Sequence, residues 1–244
     1  MVITLDDIAN ELKQYRATKS TWKVLAQLVE KCTCLEGKHD RGKTMSLVAI
    51  SYWLREWFGR PVITVESSMG LKPSFGPHKH LSIKAFVDEL KKLTEVAKIG
   101  QNGHQPEELG DAINEALKRL GVNLMYATLV FDEANKLFEA RRPQDPLVLL
   151  VGYFVQQMAH YHNTVLIATP NRRAIDYRVR EQVDFWGRPR YDELTNTCQV
   201  DFFKLMPERL MSLRIQGERY FDMYDRWSLV AFRGKALNIK DAYL

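Results

Sequence analysis

Cysteine is scarce in this chain. Three thiols, Cys32, Cys34 and Cys198, are too few for a disulfide framework and read as structural, with Cys32 and Cys34 expected on opposite faces if their stretch is a strand. Long hydrophobic runs are also lacking: the longest candidate, Leu147 to Val155, has the length of a strand or short helix, and no run reaches the roughly 18 apolar residues of a membrane span. The opening MVITLDDIAN carries acids where a secretory leader has Lys or Arg, which points away from export and toward a cytoplasmic location. No internal repeat appears. Neither charge sign dominates, with 35 Lys and Arg against 30 Asp and Glu, a formal charge of +5 and a pI near 9.0. So small an excess is compatible with a polyanionic partner but does not identify one. The pairs His78/His80 and His160/His162 lack a convergent Cys or carboxylate at zinc-ligand spacing.

What remains is ample core-forming material: 244 residues, 45% hydrophobic, 27% charged and 11% aromatic, values that exclude a disordered or collagenous chain. Thr4 to about Lys31 reads as helix, in one or two pieces, opening on a capping-box pattern. Cys32 to Leu35 is a short apolar run, and Thr44 to Phe58 is a strongly apolar helix stopped by Gly59-Arg60-Pro61. Pro61 to Val65 is a β-branched strand, and Ser67 to Lys79 a Gly- and Pro-rich loop. Helices follow at Ile83 to Lys98 and Glu107 to Leu120, then a strand from Leu124 to Phe131, a helix from Pro146 to His162 and a strand from Thr164 to Ala168. In the tail, Tyr220 to Arg233 reads as one or two strands, and the Trp and Tyr clusters around Trp53 and Tyr220 read as core. Strands alternating with helices predict a parallel sheet covered on both faces.

Between the first run and the first apolar helix lies Gly37-Lys38-His39-Asp40-Arg41-Gly42-Lys43-Thr44, a full match to G-x-x-x-x-G-K-[ST]. Such a loop aims backbone N–H groups and a helix N-terminus at phosphate oxygens. Lys43 is then predicted to contact the terminal phosphates of ATP, and the Thr44 hydroxyl to ligate Mg²⁺. Farther on, Thr128-Leu129-Val130-Phe131-Asp132-Glu133 puts two carboxylates at the end of an apolar strand. Asp132 is predicted to hold Mg²⁺, and Glu133 to orient or deprotonate the attacking water, a role needed for hydrolysis and not for simple binding. The next strand ends in Thr169-Pro170-Asn171, where Thr169 or Asn171 could sense the γ-phosphate. Arg141, Arg142, Arg178 and Arg180 are candidates for a transition-state arginine supplied by a neighbouring subunit, and Arg41 for one acting in cis.

These features predict an α/β chain: a P-loop NTPase of the ASCE/RecA-like kind, with a mainly parallel sheet flanked by helices and a small N-terminal helical segment. The predicted units are residues 1–31 (helical segment), 32–187 (ATPase core) and 188–244 (C-terminal extension packed on the core).

The P-loop, Val130-Phe131-Asp132-Glu133-Ala134 with Phe138 and Arg141 downstream, and Ile175-Asp176-Tyr177-Arg178-Val179-Arg180 together resemble the FtsK/HerA superfamily, most of all viral genome-packaging ATPases and zonular-occludens-toxin-like ATPases. Phe221-Asp222-Met223-Tyr224-Asp225 is similar to a stretch near the end of the toxin-like group. Where the superfamily carries Thr-Gln or Ser-Gln at the sensor strand end, this chain has Thr169-Pro170-Asn171, with Asn171 as the replacement. The resemblance implies an ATP- and Mg²⁺-dependent motor on double-stranded DNA, a homo-oligomeric ring with a hexamer favoured, and capsid or portal proteins as further partners. For a viral protein the location becomes the host cytoplasm. Lys72, Lys79, Lys84, Lys91 and Lys92 are the candidate DNA grips. Competing readings are a P-loop ATPase of DNA repair or replication and a nucleotide-gated interaction module.

Overall fold

The computed structural model describes residues 19–66, 69–93, 106–138, 140, 152, 154–157, 161–204 and 209–225. A helix over residues 19–28 (α1) leads into β1 (Cys32–Glu36), the P-loop and α2 (Lys43–Phe58). Then come β2 (Val62–Val65), β3 (Lys79–Leu81), α3 (Ile83–Leu93), α4 (Pro106–Arg119) and β4 (Thr128–Phe131). Residues 154–157 are helical (α5), followed by β5 (Thr164–Thr169), α6 (Tyr177–Glu181), β6 (Phe185–Asp192), β7 (Thr197–Phe203), β8 (Arg209–Gln216) and α7 (Glu218–Phe221).

All eight strands form one sheet in the order β3-β2-β4-β5-β1-β6-β7-β8. From β3 to β6 every pairing is parallel, and β6, β7 and β8 continue as an antiparallel meander. β5 therefore lies between the P-loop strand and the carboxylate strand, the additional-strand arrangement of the predicted class. The P-loop NTPase fold follows from this strand order and from the loop's place between β1 and α2.

Strand periodicity divides the core in two. Cys34, Leu129, Phe131, Val165 and Ile167 face one way, against Phe86 and Leu90 of α3 and Ile113 and Leu117 of α4. Leu35, Val130, Leu166 and Ala168 face the other way, against Leu47, Ile50 and Leu54 of α2 and Leu25 and Leu28 of α1. Central strands buried on both faces explain the unbroken apolar runs that marked β4 and β5 in the sequence. Cys32 and Cys34 share one face, because residues two apart on a strand repeat their direction; the expectation of opposite faces is wrong. All three thiols are free and buried, and burial pushes each of them up from the usual thiol range.

The tail is where the sequence misleads most. Its strands are β6, β7 and β8, upstream of the expected Tyr220 to Arg233; Tyr220 sits in the short helix α7, and residues 226–233 lie outside the described residues. Tyr220 is buried, in edge-on contact with half-buried Tyr52 and Trp53, and Tyr224 is buried as well, so these side chains are core as expected, whereas Trp57 is exposed and Trp227 lies outside the described residues. The strand β3 was hidden in a segment read as loop, since it holds only three residues, two of them exposed. β4 starts at Thr128, later than the Leu124 expected, and residue 188 falls inside β6. Most of the expected helix from Thr4, residues 100–105 of the expected break and the first part of the Pro146 helix lie outside the described residues, and Pro106 opens α4. No described helix is long and apolar enough to cross a membrane.

Gly187 fixes how closely the meander approaches the P-loop strand. A Cβ there would stand 2.4 Å from Leu35 Cδ2 and 3.2 Å from both Phe202 and Val200. Overpacking of this kind costs about 1–3 kcal/mol. Gly187→Val is expected to lower the free energy of unfolding by that amount, read as a lower urea midpoint at unchanged slope; an unaltered midpoint would mean that the contact is not close in solution.

Candidate nucleotide site at the carboxyl ends of the strands

The P-loop begins where β1 ends and is tied to the neighbouring strand by the Gly37 N–H, which donates to the Thr169 carbonyl at 3.2 Å. Its turn needs two left-handed residues, Asp40 (φ 60°) and Gly42 (φ 84°). Gly42 is the residue from which α2 springs, and its carbonyl accepts from the Ser46 N–H at 2.9 Å and from the Ser46 hydroxyl at 2.7 Å. A side chain at Gly42 would lie 2.8 Å from Cys198 Sγ and 3.3 Å from Tyr191 Cβ. Glycine is thus required there both by backbone conformation and by the meander packed beneath. Lys38, His39, Asp40 and Arg41 are exposed around the rim of the loop.

Lys43 folds onto the loop, its ammonium donating to the carbonyls of Gly37 and Lys38 at 2.7 Å each. Burial lowers its pKa, against the opposing pull of Asp132, Glu133 and Asp40. Those three acids give the site a negative counterpart to the lysine. Thr44 Oγ1 donates to Asp132, 3.2 Å from Oδ2 and 3.4 Å from Oδ1, and Asp132 is buried, at 4% exposure. Two hard oxygen donors thus meet at the mouth of the loop, the donor chemistry that suits Mg²⁺.

Glu133 follows in the left-handed conformation, φ 51° and ψ 42°, its N–H donating to Asp132 Oδ1 at 3.1 Å. For a residue with a Cβ that conformation costs about 1–2 kcal/mol. The kink sends Asp132 and its neighbour along different directions from the strand end, and such strain is concentrated at functional turns.

Thr169, at the end of β5, is buried, and its hydroxyl donates to the Asn171 carbonyl at 3.0 Å. Asn171 opens the 3₁₀ turn Arg172–Ala174 in extended conformation, and its side chain makes no capping bond. Arg178 is held by Asp176, which caps α6 by accepting from the Arg178 N–H at 2.9 Å and lies 3.4 Å from the guanidinium, which also rests over the Tyr177 ring. Arg180 is half-buried, with its Nε shielded and lacking a hydrogen-bond partner. Arg141 and Arg142 lie outside the described residues. The structure therefore brings Lys43, Thr44, Asp132, Glu133 and Thr169 to one end of the sheet, and carries Arg178 and Arg180 on α6.

Sequence reasoning missed a cluster directly before the P-loop. Glu36, the last residue of β1, accepts from Arg172 Nε and Nη2 at 2.9 and 3.0 Å and from Arg188 Nε at 2.8 Å. Burial pushes the Glu36 carboxyl up, but the hydrogen bonds from Arg172 and Arg188 outweigh it and hold the carboxyl below its usual range. Arg172 also covers the Trp186 ring. The cluster locks the ends of β1, β5 and β6 together. Its one trace in the sequence is a glutamate abutting the first P-loop glycine. Among the described histidines, His80 Nδ1 pairs with the Thr64 hydroxyl at 3.1 Å, His78 Nδ1 with the Gly76 carbonyl at 2.9 Å, and His162 Nδ1 with the Glu30 carboxylate at 3.1 Å.

No protein-family model and no curated protein matches the sequence. Among solved structures, the chain is similar to the N-terminal domain of zonular occludens toxin from Neisseria meningitidis, at 15% identity and TM-score 0.48, over 81% of this chain and 100% of that one. It is also similar to the genome packaging NTPase B204 from Sulfolobus turreted icosahedral virus 2 in complex with ATP-gammaS, at 15% identity and TM-score 0.41, over 67% of this chain and 75% of that one. The pCW3 conjugation coupling protein TcpA matches at 14% identity and TM-score 0.40, over 77% of this chain and 60% of that one.

Proposed function

We propose that the chain is an ATP hydrolase that moves double-stranded DNA as a homo-oligomeric ring, with a hexamer favoured and viral genome packaging as the task. The observation that carries the hydrolase reading is the Thr44 to Asp132 hydrogen bond, which joins the phosphate loop to the carboxylate strand at one point. The DNA reading rests on the sequence resemblance, carried by Val130 to Ala134, Phe138, Arg141 and the Ile175 to Arg180 segment.

In this reading the loop N–H groups and Lys43 bind the β- and γ-phosphates, and Lys43 exchanges its hold on the Gly37 and Lys38 carbonyls for phosphate oxygens. Thr44 and Asp132 are the residues that would hold Mg²⁺, which neutralises phosphate charge when bound. The Glu133 carboxylate takes a proton from water as its oxygen attacks the γ-phosphorus. The bond to the β-phosphate bridging oxygen breaks, and ADP and phosphate leave. An arginine from a neighbouring subunit completes the charge balance, with Arg141, Arg142, Arg178 and Arg180 as candidates. Arg178 would have to leave Asp176 to serve. Thr169 and Asn171 are the candidate γ-phosphate sensors, and the engagement of the Thr169 hydroxyl with the Asn171 carbonyl favours the Asn171 side chain.

Two outcomes are expected. Duplex DNA is expected to stimulate steady-state ATP hydrolysis, with the stimulation fading as salt rises; Glu133→Gln is expected to lose about 10²–10⁴ in kcat while still binding ATP. Turnover that depends on Glu133 yet ignores any DNA would sink the motor reading and keep the ATPase. Asn171→Ala is expected to lower kcat with little change in KM, whereas Thr169→Val, which removes the hydroxyl, leaves both near the parent values. The reverse pattern would return the sensor role to Thr169.

A further inference from the structure

We infer that the outer face of the β6 to β8 meander is a contact surface for the phosphate backbone of duplex DNA; this rests on the DNA reading above and names a surface that would serve it. Residues directly opposite one another in the meander share a face. Arg190, Gln199 and Arg214 form one cross-strand row, Arg188, Asp201 and Ser212 form the next, and Arg209 stands opposite Phe203. The reverse face of the same strands, with Cys198, Val200, Phe202, Leu213 and Ile215, is core. Four arginines therefore project from one side of a patch roughly 10 Å across, given the spacing of three strands.

Asp201 organises them without cancelling them. Its side chain is only 7% exposed, against 63% for Arg190 and 60% for Arg209. Its oxygens accept from Arg190 and, at 2.9 Å each, from Gln199 and Ser212, while Arg209 lies 3.8 Å away. Arg188 is shared with Glu36, so the guanidinium groups left for a ligand are those of Arg190, Arg209 and Arg214. Two carboxylates share the face, buried Asp201 among the guanidinium groups and exposed Asp192 in the row beyond Arg190, where Arg214 faces it; the four arginines outnumber them and leave the face positive.

The chemistry fits a duplex backbone. Arginine forks with Gln and Ser beside them are the donors that contact phosphate oxygens without reading sequence. Rings that would stack unpaired bases are not offered on this face: Trp186 is buried, and the Arg188 guanidinium lies over Phe203. A protein partner would need apolar anchors, and on the three strands the one large exposed apolar side chain is Leu210, at the β-bulge.

The test is fluorescence anisotropy of a labelled 30-base-pair duplex across a salt series with the full chain, its assembly state followed in the same samples by light scattering. Arg190→Ala with Arg214→Ala is expected to weaken binding at least about tenfold and to flatten the salt slope by about 0.9 per lost phosphate contact. DNA-independent ATP hydrolysis is expected to stay unchanged. Arg190→Gln with Arg214→Gln, which removes the charge while keeping a long polar side chain, is expected to show the same loss and flatter slope and preserves the test if the alanine pair fails to fold, whereas Arg190→Lys with Arg214→Lys is expected to keep most of the slope. Wild-type binding with an unchanged slope in a folded alanine pair would overturn this inference alone. No duplex binding by the wild type, even at low salt, would overturn the DNA reading itself. Loss of assembly in the variants would make the face a subunit contact and also overturn the inference.

Discussion

The hydrogen bond from Thr44 to Asp132 spans 88 positions of sequence, and much of the architecture can be read as the means of making it. Thr44 stands at the start of a helix and Asp132 just beyond the end of a strand two places away in the sheet. For the two to meet, β1, β5 and β4 must lie side by side and parallel, so that their carboxyl ends open at one edge. A parallel sheet achieves this only with crossover helices on its faces, which is why both faces are buried and why two apolar clusters flank the strands. Ligand sites in open α/β sheets form at this edge for the same topological reason.

Around that junction the loop is braced from two directions. Glu36 clamps the end of β1 to Arg172 after β5 and to Arg188 on β6. From below, Cys198 and Tyr191 of the meander come so close to Gly42 that no side chain fits there. The three antiparallel strands are thus more than an appendage to the sheet, since their inner face supports the phosphate loop and their outer face carries the arginines.

The parts of the fold most legible in the sequence were those whose local and tertiary requirements agree. The P-loop pattern, the apolar helix ending at Gly59, and the runs of β4 and β5 are each specified both by propensity and by burial, so reading them one at a time sufficed. β3 was illegible because two of its three residues are exposed and it gains strand geometry only from pairing with β2. The meander was hidden by its alternation of arginine with apolar residues, which in a long charged tail resembles a solvated surface. Tyr220 misled in the opposite sense: aromatic content suggested a strand, whereas the side chain fills core space from a single helical turn. The Thr44, Asp132 and Glu133 constellation was legible because its motifs are local. Glu36 with Arg172 and Arg188 was not, because the cluster is assembled from three separate strand ends.

If the P-loop and the Asp132 strand end act as one site, a double-mutant cycle on ATP hydrolysis, comparing kcat/KM for Thr44→Val, Asp132→Asn and the pair, will show strong coupling, with the double variant scarcely worse than the poorer single one, because groups that act as a unit are not additive. Independent, multiplying losses would contradict it and would separate the loop from the strand.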